Sequence, residues 1–268
     1  MKEEIKNRWA VVTGADSGIG LCFCHELARR GCKLLMISNR EESLRQAAAD
    51  ISTRHKVETR TLMLDLCRSE SAPAVMQYLE EHWIEPLILI NNAGIFSFRE
   101  VIDTPRTRVN AFIDLHVRAV TELSRLIGQK MATGGEGGYV LNMSSMACWT
   151  PMPGIALYAA TKAYIRVFSR ALGYELRPRK VKVMAACPGG IATDLFGLPD
   201  NLKRLAVSIG ALDTPEKFVR KALNRLLRGK RQYINGLLNR IGIFVVAIAP
   251  TPLRMMVKTR MLDRGITR

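Results

Sequence analysis

Residues 9–20 read Trp9-Ala-Val-Val-Thr13, followed without a gap by Gly14-Ala-Asp-Ser-Gly-Ile-Gly20. The first part is a short apolar run of the kind that forms a strand buried on both faces. Gly14, Gly18 and Gly20 then let the backbone turn tightly and come close to a ligand. A helical pattern follows through about Arg30, so the first turn of that helix aims unpaired N–H groups and a positive dipole end at the turn. A glycine cluster alone is a weak signal, because many strand-to-helix turns carry one. Set between a strand and a helix, it reads as a dinucleotide pyrophosphate site formed by Gly14, Asp16, Ser17, Gly18, Ile19 and Gly20.

The same alternation continues along the chain. Lys33–Ser38 is a second strand, Glu41 to about His55 a helix, Thr59–Leu64 a strand, Ser69–Trp83 a helix and Leu87–Ile90 a short buried strand. Long helices near 107–131 and 156–176 precede the strands Tyr139–Met143 and Val181–Ala186. After Thr214-Pro-Glu a helix runs to Gly229, and Gln232–Ile234 is an edge strand. This order predicts an α/β fold: a Rossmann-like, doubly wound parallel sheet flanked by helices, with ligands at the carboxyl ends of its strands. The 268 residues hold no Gly/Ser linker and no internal repeat. One domain over 1–268 is therefore expected, with a core at about 8–200. A lid, a last helix and strand and a basic C-terminal extension fill about 201–268.

Charge is unevenly spread. Residues 1–200 carry 25 Lys/Arg and 21 Asp/Glu, whereas residues 201–268 carry 15 and 3, so most of the net charge of +16 lies in the last quarter. That segment has no nucleic-acid-binding motif and only Phe218, Tyr233 and Phe244 as aromatics, which argues against nucleic acid as a partner. An anionic substrate, an anionic membrane surface or simply a solvated basic face remain open. The six cysteines show no metal-ligand spacing, and buried free thiols in a reducing cytoplasm are expected. The N-terminus runs straight into the first strand, so no signal peptide is expected. The apolar run Ile241–Pro250 is too short to span a bilayer, which needs ~20 residues.

Ser38-Asn39-Arg40 ends the second strand. NAD-selective sites place a carboxylate there to hold both ribose hydroxyls. This chain has none, and Arg40 can instead bind a 2′-phosphate, favouring NADP(H) over NAD(H). Asp65 and Leu66, just after the third strand, are placed to contact adenine or to cap the next turn. Tyr158-Ala-Ala-Thr-Lys162 puts a phenol and an ammonium one helical turn apart on one face. The ammonium is expected to lower the phenol's pKa and make Tyr158 a general acid for carbonyl reduction. Ser145, at the end of the fifth strand, is placed to hold the carbonyl oxygen.

Together these pieces resemble the short-chain dehydrogenase/reductase family over roughly residues 8–200. The resemblance rests on Thr13-Gly14, Gly18-Ile19-Gly20, Asn91-Asn-Ala-Gly94, Ser145, Tyr158 with Lys162, and Pro188-Gly189 followed by Thr193. It implies that Tyr158 donates the proton, Ser145 orients substrate and Lys162 also holds the nicotinamide ribose. Asn92, Ala93 and Gly94 would wall the cofactor pocket, and Pro188, Gly189, Ile191 and Thr193 would meet the nicotinamide side. Leu35–Leu44 is similar to the long-chain 3-oxoacyl and steroid ketone reductases of that family. One departure stands out: the family usually places an asparagine in its long central helix, as part of a proton relay, and His116 occupies that register here. His116 either replaces it in the relay or is a packed helix residue with the relay impaired.

Met146, Trp149 and Met152 after Ser145, with Leu195 and Phe196 after Thr193, predict an apolar pocket and a hydrophobic carbonyl substrate. Lys203 and Arg204 stand at the lid edge, where an acyl-carrier or coenzyme A phosphate would meet them. The tail from Leu237 to Met261 mixes an apolar run with prolines and cations, which suits membrane-surface contact, subunit packing or a pocket cover. The family implies a homo-oligomer. A cytoplasmic oxidoreductase is expected, with membrane association of its tail as one alternative; the rival is an NADP(H)-binding sensor that has lost turnover.

Overall fold

The computed structural model describes residues 5–191, 213–248 and 250–259. In chain order the elements are β1 (Trp9–Thr13), α1 (Gly18–Arg29), β2 (Lys33–Ser38), α2 (Glu41–His55), β3 (Thr59–Met63), α3 (Ser71–Glu81) and β4 (Pro86–Asn91). They continue with α4 (Arg106–Ile113), α5 (Val120–Thr133), β5 (Gly138–Met143), α6 (Ala156–Glu175), β6 (Val181–Ala186), α7 (Pro215–Leu227), β7 (Gln232–Tyr233), α8 (Leu237–Ala247) and α9 (Thr251–Val257). The strands form one parallel sheet in the order β3-β2-β1-β4-β5-β6-β7. Chain order reverses between β1 and β4, and a crevice opens there at the carboxyl ends of the strands.

Strand periodicity explains why both faces are covered. Ala10, Val12, Leu34, Met36, Ile88 and Ile90 point to one side, where they pack with Phe23, Leu27, Phe218 and Leu223 from α1 and α7. Val11, Leu35, Ile37 and Leu89 point to the other and meet Leu79, Leu123 and Ile127 from α3 and α5. Strands that feed two cores must be apolar along their whole length. β1, β4 and β5 are accordingly runs of buried residues rather than alternating ones.

Three expectations change. The helix foreseen at 107–131 is α4, a π-helical turn over Asp114–Ala119, and α5, with His116 inside the turn. A π turn carries one more residue than the α-helix would, a local arrangement that repeating apolar patterns do not reveal. The helix foreseen over Ser69–Trp83 is shorter, because Trp83 has φ 54, a left-handed conformation that ends it. Three of the cysteines, 22, 67 and 148, are only half-buried, although all six are free thiols. In the tail, Pro250 separates α8 from α9, as expected of a residue without an N–H. No described helix is long and apolar enough to cross a membrane. Thr193, Leu195, Phe196, Lys203 and Arg204 lie outside the described residues.

The glycine turn sets a tight steric limit. A methyl group on Gly20 would stand 1.9 Å from the Gly14 carbonyl oxygen and 2.5 Å from Asn92 Nδ2. Gly20→Ala is therefore expected to cost about 1–3 kcal/mol, measured by chemical denaturation, because backbone and not a flexible side-chain tip must move. Gly242→Ala on α8, where an added methyl meets nothing within 4 Å, is expected to be neutral or stabilising by up to ~1 kcal/mol.

Candidate active site

A cleft of about 590 Å³ opens at the reversal of strand order. Its lining includes Gly14, Asp16, Ser17, Gly18 and Ile19 from the first turn, and Asn39 and Arg40 after β2. Asp65 and Leu66 follow β3 into it, Asn92–Ile95 follow β4, and Tyr158, Lys162 and Pro188 complete it. The turn is held in place through Thr13, whose hydroxyl accepts from the N–H groups of Asn92 and Ala93 at 3.0 Å each. Asn92 answers by donating from Nδ2 to the carbonyls of Thr13 and Gly14.

Arg40 stands at the rim with its side chain 60% exposed. It forms an ion pair with the buried Asp16 carboxylate and donates to Ser17 Oγ at 2.7 Å. Ser43 donates to the same Asp16 carboxylate at 3.1 Å. Asp16 thus acts as a stay that keeps the guanidinium over the glycine turn. Asp65 accepts from the Cys67 N–H at 2.9 Å, so it caps its turn while also lining the cleft.

At the other end α6 brings Tyr158 and Lys162 to one face, both buried. Lys162 Nζ donates to the Met143 carbonyl at 2.9 Å and lies 5.6 Å from the Tyr158 ring centre. Ser144 Oγ donates to the Lys162 carbonyl at 2.6 Å, tying α6 to the end of β5. Ser145 caps a 3₁₀ turn over Met146–Trp149 by accepting from the Ala147 N–H at 3.2 Å. The electrostatics differ from the expectation of an activated phenol. Burial pushes the Tyr158 pKa up, and the hydrogen bond to Ser145 offsets part of that. Burial also pulls Lys162 down to about 7, so the lysine is only partly charged at neutral pH.

His116 is fully buried, and both its ring nitrogens are in use. Nε2 accepts from the Ile95 N–H at 3.1 Å. Nδ1 lies 3.0 Å from Thr161 Oγ1, whose own proton goes to the Tyr158 carbonyl at 3.0 Å, so Nδ1 is the donor. The imidazole is neutral: burial, then the charges of Lys162 and Arg108, hold its pKa well below the usual range. It therefore links the segment after β4 to the helix that carries Tyr158.

Several cleft residues had no sequence signal of their own. Ile95, Arg108, Ala111, Leu115, Met143 and Ser144 line it because the π turn and the strand ends carry them there. Phe96 packs edge-on against Tyr158, with ring centres 5.1 Å apart. The expected pocket residues Met146, Trp149 and Met152 are half-buried beside Ser145 but are not among the lining residues of this cleft. Gly20, Ser145, Gly189 and Ile191 are likewise not among its lining residues. The Gly189 N–H is held by Asn235 Oδ1 at 2.6 Å, and Ile191 pairs with Asp213.

The short chain dehydrogenase family model matches residues 8–200. The very-long-chain 3-oxoacyl-CoA reductase of Anas platyrhynchos is 33% identical over 261 residues, covering 94% of this chain and 79% of that protein. Very-long-chain 3-oxoacyl-CoA reductase-A of Danio rerio is 31% identical, covering 95% and 78%. Among solved structures, a short-chain dehydrogenase from Sphingobium yanoikuyae in complex with NADPH superposes with a TM-score of 0.77 at 26% identity, covering 95% of this chain and 96% of that one. A 7beta-hydroxysteroid dehydrogenase superposes with a TM-score of 0.82 at 27% identity, covering 93% and 95%.

The buried lysine yields a signed pH dependence. In the unfolded chain Lys162 titrates near its ordinary 10.5, and in the ligand-free fold at about 7. Between those values the unfolded state binds more protons, so this group destabilises the fold fully below pH 7 and less as pH rises towards 10.5. Ligand-free Lys162→Met is expected to melt higher than the wild type at pH 7, with the gap narrowing by pH 9. A gap in melting temperature that stays constant across that range would refute the depressed lysine.

Proposed function

Because the chain belongs to the short-chain dehydrogenase family it is an oxidoreductase of ketones and secondary alcohols, and we propose that it reduces a lipid-like ketone with NADPH. The observation that carries this reading is the single cleft that joins the Gly14–Ile19 turn and Arg40 at one end to Tyr158 and Lys162 at the other. The residues fit the nucleotide: close-approaching glycines for the pyrophosphate, a fixed guanidinium for a 2′-phosphate, and no free carboxylate at Ser38–Arg40 to repel it. NADPH supplies the hydride when bound. Ser145 then orients the carbonyl oxygen and Tyr158 gives it the phenolic proton. Lys162, in its ammonium form, would stabilise the resulting phenolate. His116 acts as a positioning residue, holding Thr161 and the Tyr158 backbone rather than passing a proton.

The relatives' 3-oxoacyl-CoA substrates support an acyl chain as the lipid-like part. Ile241, Ile248, Leu253, Met255 and Met256 are exposed on α8, α9 and the turn between them, with Arg240 and Arg254 nearby. Apolar side chains bordered by cations support contact with an anionic membrane surface, where such a substrate would reside. Exposed Tyr164, Val167 and Tyr174 on α6 support a self-association face for a homo-oligomer.

Fluorescence titration with NADPH and NADH, then a ketone screen with the tighter nucleotide, tests the reading. NADPH is expected to bind more tightly, and Arg40→Asp to reverse the preference. Tyr158→Phe is expected to lower kcat by at least ~100-fold while the Kd for NADPH stays within about a factor of three. NADPH binding without turnover on acyl, steroid and xenobiotic ketones would favour a sensor. No binding of either nucleotide would refute the reductase.

A further inference from the structure

We propose that Arg108 is a second phosphoryl-binding residue of the cleft, distinct from Arg40. The inference rests on the nucleotide reading of the cleft and adds a residue to it. Arg108 lies in the first turns of α4 and lines the cleft with Ile95, Ala111 and Leu115. Arg108 is half-buried as a residue, and its guanidinium stands 5.6 Å from the centre of the Phe112 ring and donates from Nη2 to the Phe96 carbonyl at 2.8 Å. That contact fixes where the fork points but uses few of its five donors and brings no carboxylate to its charge.

Charge balance distinguishes Arg108 from its neighbours. Arg40 is paired with Asp16, and Arg118 further along the same helical run is paired with Asp114. The carboxylates that line the cleft are Asp16 and Asp65, and Asp65 is turned to its own Cys67 N–H. Among the described residues no carboxylate pairs with Arg108. Its field instead reaches the buried His116 and helps keep that ring neutral. A half-buried cation aimed into a cleft without a counter-ion is matched by a ligand that brings one. The planar fork suits phosphate oxygens.

Two phosphates could meet it: one of the nucleotide, or one carried by a coenzyme A thioester substrate. The variants are Arg108→Gln, which keeps a donor for the Phe96 carbonyl and removes the charge, and Arg108→Lys, which keeps the charge and loses the fork. Calorimetric titration with NADPH and, separately, with inorganic pyrophosphate reads the first source. KM for a coenzyme A thioester against KM for a phosphate-free ketone reads the second. Arg108→Gln is expected to weaken NADPH and pyrophosphate by about 10-fold or more, with a shallower salt dependence, and Arg108→Lys to recover part of the loss. An unchanged nucleotide affinity with a rise of about 10-fold in the thioester KM alone would assign the same site to the substrate phosphate. Wild-type affinities and KM values in Arg108→Gln overturn the proposal. So does a loss that is independent of salt, shared by the phosphate-free ketone and not eased by lysine, which would mark a staple for the Phe96 segment. If the wild type binds pyrophosphate through Arg108 but not NADPH, the reductase reading fails and the anion site stands.

Discussion

The Thr13 hydroxyl is the joint on which the cleft depends. It is almost fully buried, donates towards the Ile90 carbonyl and accepts from two successive N–H groups, those of Asn92 and Ala93. One donor and two acceptor sites are all that a hydroxyl has, and all three are used here. The bonds fasten the ends of β1 and β4 where the sheet reverses its order, and there two lines of chain depart. One runs through the glycine turn to Asp16 and the Arg40 guanidinium. The other runs through Gly94 and Ile95 to His116, and from there to Thr161 and the backbone of Tyr158. The nucleotide end and the catalytic end are thus set relative to one another by hydrogen bonds at a single strand junction.

The cleft is also unbalanced electrically. Guanidinium groups and a buried amine face it, while its two carboxylates are already engaged with Arg40 and with a backbone N–H. Burial holds Lys162 at about 7, and burial with the charges of Lys162 and Arg108 keeps His116 neutral. An anion in the cleft would meet an excess of positive charge there.

Much of this was legible from residue order alone. β1, β2, β6 and α2 fall where apolar runs and their flanking residues put them, since strands buried on both faces cannot disguise themselves. Glycine spacing located the turn, and the four-residue interval between Tyr158 and Lys162 located one helix face. What was not legible depends on contacts between distant segments. Nothing around Arg108 or Phe96 marks them as cleft residues until α4 is laid against the segment after β4. The fate of His116 depended on which partners its two nitrogens would find, Ile95 and Thr161, and neither is near it in the chain. The expected fall in the Tyr158 pKa failed to account for burial, which acts on the phenol and on the lysine together.

The π turn at Asp114–Ala119 sets the phase of everything before it. One residue advances an α-helix by about 100°, so a surplus residue rotates the preceding helical face by that much relative to the one that follows. α5 is locked by its apolar face against the sheet, and α4 is therefore the half whose azimuth the surplus controls. Arg108 and Ala111 face the cleft, and Phe112 packs beneath His116, only in this phase. Chain length within the turn thus works as an angular setting. A homologue with one residue fewer there would keep the same side chains in the same order and present a different set to the ligand.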